Sequence, residues 1–290
     1  MSETHQTLRL HFPQWQGGNN PAYHFGARLL AFLAPQATGE VEEIAVANPT
    51  DANLTDENGI VGRTVLLQQL NAAQAAINKH RPARIVTLGG DCLIDLAPFA
   101  YLSELYGQDL GILWLDAHPD VMTPEQFNHA HAMVLGNLLG CGDDDFRSAV
   151  TVPVSADNVL LAGLGETLPA ESDFIRQHGL KTLGPEALNQ SSKPVLRWIK
   201  DNNIKKLAIH LDLDVIDVND FRSLLFANTD VAPGTFDGIT QGKMTMAAVQ
   251  RLLCDVGENV DVVGLGIAEH LPWDSLKLSN MLAALPLLRD

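Results

Sequence analysis

Two apolar runs in this chain end in acids. Residues 110–115 run into Asp116-Ala117-His118-Pro119-Asp120, and residues 207–211 run into Asp212-Leu213-Asp214. Short continuous apolar runs bounded by polar groups read as strands buried on both faces, the kind found in parallel sheets covered by helices. In open sheets of that kind the carboxyl ends of the strands line one crevice, where ligands bind. Two such strands emptying carboxylates and an imidazole into one crevice read as a metal site, here for two ions.

The rest of the chain alternates in the same sense. Further strands are expected at residues 8–12, 41–47, 85–88, 159–163 and 260–267. Helices are expected at 21–34, 61–79, 96–105, 133–139, 171–178, 191–202, 245–256 and 275–288. Pro194 is tolerable in a first helical turn. The acidic cluster 142–145 reads as a solvated loop, and 48–59 as a polar loop rich in turn formers. Residues 218–240 have no clear period and are long for a connection, which marks them as functional or mobile. With 290 residues and no composition break, the reading is a single domain over 1–290, a three-layer α/β/α sandwich with a mainly parallel central sheet.

Composition excludes some partners. A net charge of −16 argues against a nucleic-acid backbone, and no apolar run approaches the length needed to cross a bilayer. Cys92, Cys141 and Cys254 are an odd, scattered set and not a disulfide framework. With a polar amino terminus that lacks a secretory leader pattern, a cytoplasmic setting is expected.

The acids carry the chemistry. Asp116 and His118 share a face if their strand continues, and Asp120 can curl back from the following turn. Carboxylates with imidazole suit Mn, Zn or Fe, and an oxygen-rich set favours the harder Mn. Asp-x-Asp after a strand also occurs in aspartate-based phosphatases, but that reading leaves Asp116, His118 and Asp120 unexplained. Gly89-Gly90-Asp91-Cys92 lacks the Lys and the spacing of a phosphate loop, so its glycines read as a tight turn at the rim of the site. Gly264-x-Gly266 is too short for a dinucleotide fingerprint.

Gly-Gly-Asp after one strand, Asp-x-His-x-Asp after the next, Asp-x-Asp after a later one and Glu269 after the strand 260–267 together resemble the arginase–agmatinase superfamily, the ureohydrolases, over residues 60–290. The resemblance implies an arginase-like fold, a binuclear Mn site, and hydrolysis of a C–N bond in a small cationic guanidino or amidino substrate by a metal-bridging hydroxide. By position, Asp116 and Asp212 would bridge both ions, Asp120 would complete the first, and His118 and Asp214 the second. His131 would handle protons, a task suited to a near-neutral pKa, and Glu269 would receive the guanidinium. The family commonly forms trimers or hexamers, so a homo-oligomer is expected.

The chain departs from that pattern in places. Cys92 stands where the family has a His that ligates the first metal; a thiolate there is soft and favours Zn or Fe. Leu168 stands at about the position where arginases carry a carboxylate for the substrate α-amino group, which argues against arginine itself. Asp217-Val218 replaces the usual Asp-Pro. A diverged enzyme with altered metal preference is the reading; a one-metal or catalytically silent relative is the alternative.

Overall fold

The computed structural model describes residues 7–49 and 54–288, so the amino-terminal residues 1–6 and part of the 48–59 loop lie outside it. Its strands are β1 (Thr7–Phe12), β2 (Val41–Glu43), β3 (Arg84–Gly89), β4 (Leu110–Leu115), β5 (Val159–Ala162), β6 (Lys181–Leu183), β7 (Lys206–Asp212) and β8 (Asp261–Ala268). They form one 8-stranded sheet in the order β2-β1-β3-β8-β7-β4-β5-β6, and every neighbouring pair is parallel. A small antiparallel hairpin, Asp56–Glu57 with Ile60–Val61, stands apart. The helices are α1 (Ala22–Leu33), α2 (Arg63–His80), α3 (Leu96–Tyr106), α4 (Val134–Leu138), α5 (Asp144–Arg147), α6 (Pro169–His178), α7 (Pro185–Gln190), α8 (Lys193–Asp201), α9 (Met246–Asn259) and α10 (Trp273–Ala284).

The unbroken apolar character of β4 follows from burial on both faces. Ile112 and Trp114 join a core with Leu66, Leu70 and Phe99 of α2 and α3. Leu113 and Leu115 alternate into a second core with Val195, Val249 and Leu252 of α8 and α9. Each large apolar side chain so buried contributes about 1.5–3 kcal/mol. This is the three-layer arrangement read from the sequence, with the sheet parallel throughout.

Helix ends follow local chemistry. The start of α2 is set by Gly62, whose φ of 69° places it in the left-handed region that glycine tolerates. The Thr245 hydroxyl accepts from Ala248 N and caps α9. Pro194 does sit in the first turn of α8. Strand β6 and helix α7 were not legible: both are short, and the strand lies at the sheet edge with Lys181 and Thr182 exposed.

One expectation is corrected. Asp144 and Asp145 of the 142–145 cluster are solvated as expected, but they open a helix rather than a loop, and Asp143 caps that helix, α5, by accepting from Asp145 N and Phe146 N. Asp143 also receives the Arg63 guanidinium at 2.8 and 2.5 Å, with only 8% of its side chain exposed. The cause is a cation 80 residues away, which a local run of acids cannot announce. Residues 218–240 are irregular apart from a 3-10 turn at Leu225–Ala227. The segment is tied at the sheet's carboxyl end, where Leu271 N donates to Ser223 O and Trp273 Nε1 to Leu224 O. No described helix is long and apolar enough to cross a membrane.

Candidate metal centre

The sheet order assembles the centre. Strands β3, β8, β7 and β4 are neighbours, and their carboxyl ends deliver Cys92, Glu269, Asp212 with Asp214, and Asp116 to Asp120 respectively. Strand β8 comes last in the chain yet inserts between β3 and β7, which is what brings Glu269 in.

Strand continuation, the expectation for Asp116 and His118, is not what aligns these candidate ligands. Strand β4 stops at Leu115, and Asp116 Oδ1 then accepts from His118 N at 2.7 Å. At the end of β7, Asp212 Oδ1 accepts from Asp214 N at the same 2.7 Å. The same side-chain turn, an Asx turn, therefore folds the residue two positions on back beside the first aspartate at both sites. Asp120 and Glu269 have φ of 50° and 64°, left-handed conformations that cost of order 1 kcal/mol each in non-glycine residues. Glu269 N donates to Gly90 O at 2.7 Å, which anchors that turn.

Cys92 points into the centre and is 1% exposed. Its thiol donates to Asp212 Oδ2 at 3.1 Å and lies 3.8 Å from Glu269 Oε1. Donor atoms of Cys92, Asp116, Asp120 and His210 lie within 4.8 Å of one another, as do those of Asp116, His118 and Asp214, and those of Cys92, Asp212 and Glu269. His210 was not picked out by sequence reasoning. It reads as one more residue of a buried strand, and the available signal was an imidazole inside an otherwise apolar run.

The electrostatics call for positive charge. Burial first, then neighbouring carboxylates, push the pKa of Asp120 and Asp212 well above the usual range, and Glu269 likewise. Asp116 is also raised, by burial above all, and so is the Cys92 thiol. Burial opposes a charge on His118, but Asp214 and Asp116 outweigh it and raise its pKa well above the ordinary value. Burial likewise works against the Asp214 charge, yet His118 more than offsets it and holds that carboxyl low.

The donor set fits divalent cations. His118 Nε2 lies 3.0 Å from Thr240 O, and a carbonyl can only accept, so that nitrogen carries the hydrogen. In the neutral ring Nδ1 is then bare, and it faces Asp214 Oδ2 at 3.2 Å and Asp116 Oδ1 at 3.5 Å. Bare nitrogen and carboxylate oxygens in that arrangement repel unless a cation or a proton stands between them. Asp120 Oδ2 and Asp214 Oδ1 are buried and have no hydrogen-bond partner among the described residues. Buried charges of this kind are paired or coordinate metals.

The remaining members surround a pocket of about 390 Å³. His131 lines it, with Nδ1 3.0 Å from Gly17 O. Its pKa is not near neutral: burial, reinforced by His129, pulls it down to about 4. The Tyr23 hydroxyl lies against Glu269. Leu168, Phe127, Phe226 and Ile239 form an apolar mouth, and no Lys or Arg lines the pocket among the described residues. Gly90 is required by close approach, since a Cβ there would collide with Gln14 O, and neither Gly89 nor Gly90 has the positive φ of a glycine-dependent turn.

A profile of the arginase family matches residues 27–285. The chain belongs to the arginase family. Among the relatives of this arginase-family chain, an arginase of Staphylococcus aureus is 24% identical over 220 residues, covering 67% of this chain and 72% of that one. Arginase 1, mitochondrial, of Arabidopsis thaliana is 24% identical over 279 residues, 95% of this chain and 71% of that protein. In fold, the arginase of Entamoeba histolytica in complex with L-ornithine superposes with a TM-score of 0.76 at 18% identity over 92% of both chains. The Bacillus caldovelox arginase gives a TM-score of 0.74 at 18% identity, over 93% of this chain and 92% of that one.

Whether the thiol of this arginase-family chain takes part is open to direct measurement. A thiol must lose its proton to ligate, and a cation among Asp212, Asp116 and Asp120 would oppose the charges that now hold the proton on. Cobalt(II) added to the chelated protein is expected to give a sulfur-to-metal charge-transfer absorption that is absent in Cys92→Ser. Identical spectra for the two proteins would mean that Cys92 is only a buried neighbour.

Proposed function

We propose that the chain is a metal-dependent hydrolase that cleaves a C–N bond of a guanidino or amidino compound whose tail is apolar. The observation that carries the reading is one pocket whose acid floor is lined by Asp120, Asp212, Asp214 and Glu269, with Asp116 buried among the same donor groups, beneath an apolar mouth. A cationic head suits the floor. No Lys or Arg among the described residues lines the pocket to add to the binding of a phosphate ester.

In this reading Asp116, Asp120, Asp212, Asp214 and His118 hold two divalent ions, with Cys92 beside the first. Manganese is the expected metal, and Zn or Fe become favoured if Cys92 ligates as thiolate. Bound ions of this kind supply Lewis acidity and lower the pKa of water towards neutrality. The protein's own groups do the rest. Glu269, steadied by Tyr23, receives the cationic head and sets the planar carbon over the floor. His131 is neutral at pH 7, since its pKa lies near 4. With Nδ1 bound to Gly17 O, its Nε2 is the basic nitrogen that can accept the proton released as water adds. Water adds to the carbon, the C–N bond breaks, and the departing amine takes up that proton.

The mouth discriminates among tails. Leu168 is 49% exposed there, and Glu171, the nearest carboxylate of that segment in the pocket, already accepts from Leu168 N at 2.7 Å. The test is urea or ammonia release over alkyl- and arylalkyl-guanidines, the matching amidines, arginine, agmatine and a generic phosphate ester. Apolar-tailed guanidines or amidines are expected to be turned over in preference to arginine. Metal binding without turnover of any compound would instead mark a catalytically silent relative. Leu168→Asp, which places a carboxylate at the mouth, is expected to move kcat/KM for arginine relative to an apolar guanidine upward by about tenfold, the worth of one charged hydrogen bond. An unchanged ratio would remove Leu168 from the specificity argument.

A further inference from the structure

His210 has a job that its strand position does not explain. It is fully buried on β7, and its Nδ1 lies 2.8 Å from Asp95 Oδ2, itself fully buried. A carboxylate accepts, so Nδ1 carries the hydrogen and the neutral ring keeps a bare Nε2. That nitrogen has no hydrogen-bond partner among the described residues. It lies 3.8 Å from Asp116 Oδ2 and belongs to the same cluster of donor atoms as Cys92 and Asp120. An unpaired imidazole nitrogen in a dry interior is costly, and placing it opposite a carboxylate oxygen adds repulsion.

The surroundings hold the ring in that pose. Trp114, its registered neighbour on β4, stacks on it with centroids 3.8 Å apart and planes 13° apart. The Trp114 indole N–H donates to Asp116 Oδ2 at 3.2 Å, so the same residue orients both ring and carboxylate. On the other side, Gly266 of β8 is the registered neighbour of His210, and a Cβ there would collide with the Asp95 carboxylate. The Gly264-x-Gly266 pattern thus opens room for this pair and for Leu102. A ring nitrogen bound to a carboxylate while the other faces open donors is the arrangement found around metal-ligating histidines, where it fixes the tautomer and raises basicity.

We propose that His210, oriented by Asp95 and braced by Trp114, is a nitrogen ligand of the metal position beside Cys92, completing a Cys92–Asp116–Asp120–His210 set. This rests on the metal-centre reading above. A mixed sulfur, nitrogen and oxygen set of four donors suits Zn(II) or Fe(II) better than Mn(II), so this position should select the softer metal.

The test is metal binding. The full-length protein, chelated and then titrated with Zn(II) and Co(II), is compared with His210→Gln and Asp95→Asn. His210→Gln is expected to weaken binding at one position by more than 100-fold and to shift the cobalt d–d spectrum. Asp95→Asn, acting only through the ring, is expected to weaken that position by about 10–100-fold. Variants that melt lower when chelated, yet bind both metals as the unaltered protein does, would make His210 and Asp95 a structural pair and overturn the proposal. A variant that does not fold leaves a measurement on the unaltered protein: cadmium-113 bound to chain carrying nitrogen-15 histidine. Coupling of the metal to His210 Nε2 supports the proposal, and metal bound without that coupling overturns it. An unaltered protein that binds no metal at all would sink the metal-centre reading and this inference together, and the two failures are thereby told apart.

Discussion

Chelation will lower the melting temperature by about 10 °C, and added divalent metal will restore it. A ligand at 1,000 times its Kd stabilises by about 4 kcal/mol, and a domain of this size class moves roughly 2–4 °C per kcal/mol. Without cations, protons must neutralise the floor, and that gives the chelated protein a definite pH dependence. Asp116, Asp120, Asp212 and Glu269 have raised folded pKa values. Above about pH 4 the unfolded chain releases those protons while the folded chain retains them, so folding stability falls as pH rises towards the folded values. His118, also raised, adds in the same direction: its pairing contribution is complete below about pH 6.5 and is lost as pH rises through its folded value. Asp214, held low, contributes the opposite slope only below about pH 4. The chelated protein should therefore melt higher at pH 5 than at pH 8. The metal-loaded protein should show the reverse, since ligands must be deprotonated to bind. A melting temperature indifferent to both chelator and pH in a protein shown to lose its metal would refute the reading of the floor as a cation site.

Asp212→Asn is expected to abolish turnover, by about a thousandfold or more, while raising the melting temperature of the chelated protein by a few degrees. Asp212 is buried among Asp214, Glu269 and Asp116, each of which raises its pKa after burial itself. Asparagine keeps the shape and can still accept from Asp214 N, as Asp212 Oδ1 does at 2.7 Å. Its amide hydrogens can then meet carboxylate oxygens that an aspartate would repel. Buried substitutions ordinarily destabilise, so opposite signs for stability and activity separate a metal ligand from a structural acid. If the chelated variant melts lower than its parent, Asp212 is held by contacts unrelated to crowding. If phosphate release from an ester is what disappears, Asp212 is an aspartate-phosphatase nucleophile.

Much of this molecule was legible before its structure. The runs at 110–115 and 207–211 are buried on both faces, as in a parallel sheet between two helical layers, and with the alternation of strands and helices along the chain their apolar continuity pointed to that architecture. The acids after them, read with Gly89-Gly90-Asp91-Cys92 and Glu269, already pointed to the family whose profile matches residues 27–285.

What the sequence could not decide is what depends on residues far apart along it. Asp143 looked solvated until Arg63 came to it across 80 residues. His131 looked suited to a near-neutral pKa until burial pulled it to about 4. That Cys92 points at Asp212 and Glu269 depends on β7 and β8 ending beside β3, and His210 became a candidate ligand only because β4 lies beside β7 and Asp95, just ahead of α3, meets its ring. Strand type and motif order are local properties of the chain, governed by periodicity. Which nitrogen is left unpaired, and beside which carboxylate, is a property of strand order in the sheet, and only tertiary structure sets that.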